Sequence, residues 1–544
     1  MLDPEYLAQL PEPILRLWRQ AEQRILADMA RRISTYDYWI PAADHQSAML
    51  RIAGRTQDEI LSALAPVTRR SEAELRQMMI EAGSRCLAED AELYRAAGLD
   101  VPDPAKHAGL TSTLNTGYQQ TAQTMRNLTR STARTATQQF ERVLDRAWLQ
   151  VNSGAFDYDS AIRGAIKDLA EEGISAIRYP SGRTDSIETA IRRAVLTGVN
   201  QTAGKLSMEL ADEVGCDLVE VSAHAGARPG HALWQGKIYS RSGKSEKYPD
   251  FVAATGYGTG AGLCGWNCRH SFGPYVDGAP RVWTDEKLAD MNEPKYEYNG
   301  EKLTEYEATQ QQRYFERQIR RWKREYVAME AAGQDSTEAA VKLRSCREKL
   351  NDFLKQTGLH QDRGKEAQHA FGQLEAMRAT RSAEDFYREW AKSIGSIDAI
   401  KTLANYYDIK YNDTPRYELL KAYVRSVKTG KMSPMVHFDR YEEYYQRIQN
   451  ELVGKQTTSG IRITGQTRHF LERVFGTMRD PKTGHPRSGV ELEDIFHCVT
   501  TSTNISQQIL KENGKRSIVI IGENIAVSVN PDTGILVQTN PRKK

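Results

Sequence analysis

The chain has 544 residues and carries 74 Lys and Arg against 71 Asp and Glu, a formal net charge of only +3. That length can build several cores, the 40% hydrophobic content is that of a folded protein, and near-neutrality gives no overall basic signature of a nucleic-acid binder, leaving only local patches. Six cysteines are spread too thinly for a disulfide scaffold, no basic-then-apolar leader opens the sequence and no run is apolar enough to span a bilayer, so synthesis in the cytosol, with retention there or packing into something assembled there, is expected.

Helical spacing begins at once. Pro13 suits a first helical turn, where a missing N–H costs nothing, and Ile14, Leu17, Trp18, Ala21 and Ile25 then form one apolar face. Residues 44–64 and 71–97 predict two further helices, the second opened by a capping box of Ser71 and Glu74. A Pro/Gly-rich connector (AGLDVPDPAKHAG) leads to a long helix over 111–151, rich in Thr, Gln and Arg. Its apolar positions are sparse, which suits either packing along partner helices or subunits, or a solvated helix in a large helical domain. Residues 157–173 and 186–215 continue the helical pattern, and LVEV at 218–221 is the first strand signal.

The most unusual stretch runs from His224 to His270: HAGARPGHALWQGKIYS, then GYGTGAGLCGWNCRHSFGPY. Within it His224, His231, Cys264, Cys268 and His270 are metal-ligand types, and the Gly run offers the positive-φ freedom that would let them converge. Zinc takes about four such ligands in a tetrahedron, so at least one of the five must serve otherwise. The C-x3-C-x-H spacing is not a standard finger, and the alternative is a buried His/Cys set held by packing and hydrogen bonds. Any metal here is expected to be structural zinc, because no Glu stands where a general base would. A hydrolytic or phosphate-handling use of His224, Arg228 and His231 is a weaker reading. Gly260, Gly262 and Gly265 match G-x-G-x-x-G, but no apolar strand precedes them and no helix follows, which excludes a dinucleotide site.

Beyond Pro274, residues 304–333 and 336–354 predict a charged antiparallel helical hairpin, and 383–427 more helix with tyrosines clustered around NDTP. From about Gln456 composition turns to Thr, Gly and β-branched residues. A short strand at 461–463, helices at 467–476 and 491–499, and strands at 516–521, 525–529 and 535–539 predict a compact α+β unit, with NPDTG turning between the last two strands. On its first helix His469 and Arg473 share a face, with Glu472 beside them. Arg487, Lys515 and Arg516 add cations, and Ser517, Thr533 and Thr539 add hydroxyls. Metal-free RNA cleavage needs such parts: a proton acceptor, a proton donor and cations for the phosphorane. An ordinary amphipathic helix with solvated charges is the competing reading. The expected architecture is mainly α and multidomain: a helical region at 1–285 with a small β/Gly-rich insertion at 224–275, a charged hairpin at 286–376, a helical connector at 377–455 and the α+β unit at 456–544.

The 224–275 motifs, and the charged run TEYEATQQQRYFERQIRRWKREY after them, resemble the phage minor capsid protein 2 family over roughly the first 370 residues. His224, Arg228, His231, Trp234, Gly236, Asn267, Cys268, Arg269 and His270 carry the match. The resemblance implies a virion protein assembled in the host cytoplasm at or near the portal, with portal and capsid proteins, and viral DNA, as partners; it implies no catalytic residues. The tail (SGIRITGQTRHFLERVFG, PRSGVELEDIFHCV and IAVSVNPDTGILVQTNP) resembles phage-associated nucleases of the barnase–EndoU–colicin–RelE-like superfamily. That resemblance implies RNA as substrate, His469 as general acid or base, Arg473 and Arg487 as phosphate-binding groups and Thr539 as the residue positioning the scissile group. The alternative is a purely structural virion protein whose tail only binds nucleic acid or a neighbouring subunit.

Overall fold

The computed structural model describes residues 1–103, 108–393, 400, 402–477, 484–506, 509–510 and 516–542. The fold is mainly α with several small sheets, in two compact units, Met1–Thr380 and Arg381–Lys544; the division falls within the Gln373–Ser393 helix. Among the described residues no helix is long and apolar enough to cross a membrane.

The first unit is built on three long helices, Ala42–Ala96, Ala108–Asn152 and Ile187–Val214, with Glu12–Thr35 and Tyr158–Glu172 packed around them. The two helices expected at 44–64 and 71–97 are one. Pro66 removes a backbone donor from its interior, at a cost of about 3 kcal/mol, and the buried side chains of Ile60, Leu64, Leu75 and Met79 on either side offset it. Ser71 therefore caps nothing: it is fully buried and its Oγ accepts from Trp18 Nε1 at 2.9 Å.

The Thr-rich helix Ala108–Asn152 finds its partners inside the chain. A Cβ on Gly117 would lie 2.1 Å from Thr202 Oγ1, and one on Gly198 would lie 2.1 Å from Thr121 Oγ1. Each helix thus offers a glycine to the threonine of the other, and the two backbones close to a distance that no larger pair allows. The threonine hydroxyls spend their hydrogen bonds within their own helices, Thr121 donating to Gly117 O at 2.9 Å and Thr202 to Gly198 O at 2.7 Å. Burying them therefore leaves no orphaned donor.

The charged hairpin forms as Glu305–Ala331 and Thr337–Thr357, the first helix opened by a capping box of Thr304 and Glu307. Its arginines are not all solvated. Arg320 lies 3.7 Å from Glu188, which also takes Arg19 at 2.7 Å. A three-stranded antiparallel sheet, in the order Ile238–Ser240, Leu218–Val221, Phe272–Pro274, carries the His/Cys stretch between its strands.

In the second unit the remainder of the Gln373–Ser393 helix, then Leu403–Asn412, Thr414–Lys428 and Phe438–Glu451, precede a five-stranded sheet. The meander Arg516–Ile521, Ile525–Val529, Ile535–Pro541 forms as its alternation predicts. The strand expected at 461–463 is instead Gly465–Gln466, pairing parallel with Ile535–Pro541, while Arg462 makes only an isolated bridge to Gln456. Residues 461–463 instead fold back on the preceding turn: Ile463 N donates to Lys455 O at 2.9 Å, Gly454 N to Ile463 O at 2.8 Å and Thr457 N to Ile461 O at 2.9 Å.

Candidate metal centre

The 224–270 stretch folds into a knot whose glycines act chiefly by absence. Of the glycines in GYGTGAGLCG only Gly256 and Gly258 take positive φ, at +64° and +89°. The others are needed for close approach: a Cβ on Gly262 would lie 2.0 Å from Gly256 O, one on Gly265 2.5 Å from Gly260 O, and one on Gly260 2.4 Å from the Trp266 ring. The positive-φ bends nearest the ligands fall on Cys264 and Asn267, at 57° and 55°, a conformation uncommon for residues with a Cβ.

This folding brings three of the five candidate ligands together. His231 Nδ1 and His270 Nδ1 are 3.4 Å apart, and Cys268 Sγ lies 3.7 Å from the first and 3.6 Å from the second. All three residues are buried, and they form a group able to hold one ion. The outer nitrogens are committed. His231 Nε2 meets the Ala261 carbonyl at 2.9 Å, which can only accept. His270 Nε2 meets Gln235 Oε1 at 2.9 Å, and that oxygen is identified by the His224 backbone N–H, which donates to it at 3.1 Å. Both imidazoles therefore carry hydrogen on Nε2 and a bare lone pair on Nδ1. Burial pushes the His270 ring down to about 2, helped by the neighbouring His224, His231 and Arg269, and pushes His231 down as well, so both rings are neutral.

The remaining two candidates stand apart from this triangle. His224 stacks flat on His270, centroids 4.4 Å apart, and its Nδ1 faces Ala225 O at 2.9 Å. Cys264 is buried with Sγ 3.7 Å from the His270 carbonyl, among Leu263, Phe251 and Tyr239. Arg228 is used structurally, donating to Trp266 O at 2.7 Å, and Trp234 is a core ring over His231. Sequence reasoning missed Gln235, one turn from His231, and Asn200 on the Ile187–Val214 helix. Asn200 Nδ2 donates to Cys268 O at 3.2 Å and His270 O at 2.9 Å, fixing the ligand-bearing segment from beneath. Only the tertiary contact reveals it.

The sequence profile of the phage minor capsid protein 2 family matches residues 2–355, which includes this knot and nearly all of the charged hairpin. The chain belongs to the phage minor capsid protein 2 family. It is 28% identical over 212 residues to a structural protein of Lactococcus phage LL-H, covering 38% of this chain and 54% of that relative. It is 36% identical over 116 residues to a structural protein of Lactococcus phage mv4, covering 20% of this chain and 85% of that one. The chain thus spans about half the length of the LL-H relative. No solved structure matches.

The residues singled out in the tail lie beyond the family match. His469 is 42% exposed, with Nδ1 3.3 Å from Glu472 Oε2. Glu472 is buried and also takes Ser426 Oγ at 2.8 Å and Arg468 at 3.0 Å. Burial alone would raise its carboxyl, but the bonds from His469 and Ser426 and the Arg468 charge outweigh that and hold it below the usual range. Arg473 is half-buried at the end of the same helix, and Arg487 hydrogen-bonds Asn540 on the terminal strand. Thr539 is a correction: it is fully buried and its hydroxyl donates to Ala526 O at 3.3 Å, so it has no open face for a substrate. Period-two alternation turns it inward with Val527, its cross-strand partner. Lys515 lies outside the described residues. A cavity of about 400 Å³ in the same unit is lined by Trp390, Tyr406 and Tyr417 together with Lys421, Arg425 and Lys428.

Proposed function

We propose that the chain is built into the phage head near the portal, with its Met1–Thr380 unit as the assembling body. The family match carries this reading: it runs from residue 2 to 355 and ends within the first unit. Rigid helices closed on one another by the Gly/Thr contacts, with a sheet-borne knot at their flank, suit a structural part better than an enzyme of small molecules. Portal and capsid proteins are its partners in this reading, and assembly takes place in the host cytoplasm. The test is to purify virions of the phage encoding the chain and locate the chain by immunogold labelling or reconstruction. Density or label at the portal vertex supports the proposal; absence from purified heads overturns it.

The second unit is read as a nucleic-acid module. Its rings and cations, Trp390, Tyr406 and Tyr417 beside Lys421, Arg425 and Lys428, are the combination that stacks bases and neutralises phosphates. Cleavage of RNA would fall to His469, which is open to solvent and oriented by Glu472, taking or giving the proton while Arg473 and Arg487 neutralise phosphate. The full chain, incubated with tRNA and total RNA with and without EDTA, discriminates the outcomes. Cleavage that survives EDTA and is lost in His469→Ala supports the ribonuclease. Binding of RNA or viral DNA without cleavage by folded protein favours the purely structural alternative.

A further inference from the structure

The geometry assigns a zinc site to His231 Nδ1, Cys268 Sγ and His270 Nδ1, and leaves His224 and Cys264 out of it. Two neutral imidazoles present lone pairs to each other at 3.4 Å, each with its hydrogen held on the far nitrogen by a carbonyl oxygen. Two acceptors at that distance repel unless an electrophile sits between them. The single thiol hydrogen of Cys268 can serve one nitrogen and leaves the other without a partner. A cation satisfies both, and the bonds to Ala261 O and Gln235 Oε1 are then the contacts that orient metal-binding histidines.

The distances select the cation. A tetrahedral zinc with bonds of about 2.0–2.1 Å to nitrogen and about 2.3 Å to sulfur holds its nitrogens about 3.3–3.4 Å apart and each nitrogen about 3.6 Å from the sulfur. The three edges here are 3.4, 3.6 and 3.7 Å. One face of the tetrahedron is therefore already built from the protein. Mixed imidazole and thiolate donors suit zinc over magnesium or calcium, which take oxygen. On binding, the Cys268 S–H bond breaks, its proton leaves to solvent, and the thiolate forms the Zn–S bond, so the zinc–thiolate unit carries one positive charge.

His224 cannot join in this arrangement, because it stacks face-on against His270 and does not present a ring edge to the triangle. The Cys264 sulfur is not among the ligand atoms that lie within 4.8 Å of one another, which belong to His231, Cys268 and His270. The metal would thus tie the turn at Pro229–Ala232 to the segment entering the Phe272–Pro274 strand, stapling two edges of the three-stranded sheet across the Gly-rich loop.

The test uses the full chain purified without chelator or affinity metal. Elemental analysis is expected to find about one zinc per chain, and cobalt-substituted protein to show tetrahedral d–d bands with a charge-transfer band of one thiolate. Cys268→Ala and His270→Ala should lose the metal to background, whereas Cys264→Ala and His224→Ala should keep it. Because ligand variants can fail to fold, wild-type protein is also melted before and after removal of metal by a high-affinity chelator. A drop in melting temperature that added zinc restores supports the site. Folded wild-type protein without stoichiometric metal, a two-thiolate cobalt spectrum, or loss of metal in Cys264→Ala overturns the assignment.

Discussion

The two units use histidine in opposite ways. In the first, His231 and His270 are buried, and carbonyl oxygens on one side fix which nitrogen stays bare on the other. In the second, His469 is 42% exposed and leans on the buried carboxylate of Glu472. Burial with fixed acceptors turns an imidazole into a directed lone pair; at His469 the ring stays open to solvent beside a carboxylate. The same residue type thus meets two different environments, and its neighbours decide which atom it offers and to what.

Four changes sharpen or break that contrast. The largest effect is expected at Glu188, whose carboxyl is held at about 2: burial pushes it up, but the charges of Arg320, Arg19 and Arg192 outweigh this. A carboxyl depressed from about 4.5 contributes stability above that pH, on the order of 3 kcal/mol, and loses it as pH falls from about 4.5 to about 2. Glu188→Gln should weaken the first unit by that order at neutral pH and flatten its acid limb in denaturant titrations; an unchanged acid limb would remove the buried charge network from the account. Next comes Gln235→Leu, which removes the acceptor that orients His270. Zinc affinity, read by competition with a chelating dye, should fall roughly 10–100-fold; unchanged affinity would mean that the ring needs no such guide.

Gly198→Ala follows. At an ordinary helix interior this change gains up to about 1 kcal/mol, but here the new Cβ would lie 2.1 Å from Thr121 Oγ1, so overpacking of roughly 1–3 kcal/mol should reverse the sign. Thermal melts should show Thr121→Ala rescuing the Gly198→Ala variant; a stabilised single variant sinks the close-contact account. The smallest effect is expected at Glu472→Gln, about 1 kcal/mol at neutral pH from the lost charge facing the Ser426 and His469 contacts and the Arg468 ion pair. The sign runs as for Glu188: the native carboxyl is depressed, so its contribution is present above the ordinary Glu range and fades on acidification, and the glutamine variant should lose that acid dependence while retaining any RNA binding.

Much of the fold was legible because local physics dictates it. The 111–151 helix, the hairpin and the final meander follow from periodicity, capping and turn chemistry, and the NPDTG turn forms with Asn530 Oδ1 accepting from Asp532 and Thr533 N–H at 2.9 and 3.1 Å. Ser71 misled because a capping pattern carries only local information, while the buried face of Ala42–Ala96 holds the helix together from outside it, through Pro66. Thr539 misled similarly: a hydroxyl on a strand is inside or outside according to pairing, and its register is set against Ile525–Val529.

By itself the sequence determined that the chain is mainly helical, that a His/Cys/Gly stretch divides the helices and that an α+β segment follows, since all three rest on residue type and spacing along one strand of chain. Which nitrogens are bare, which three of five ligands meet and which glycines are needed for closeness rather than for φ were decided only in three dimensions. Those properties belong to pairs of atoms brought together by folding, such as His231 with Ala261 O, or Gly262 with Gly256 O. Spacing in sequence fixes no distance between such partners once a loop intervenes.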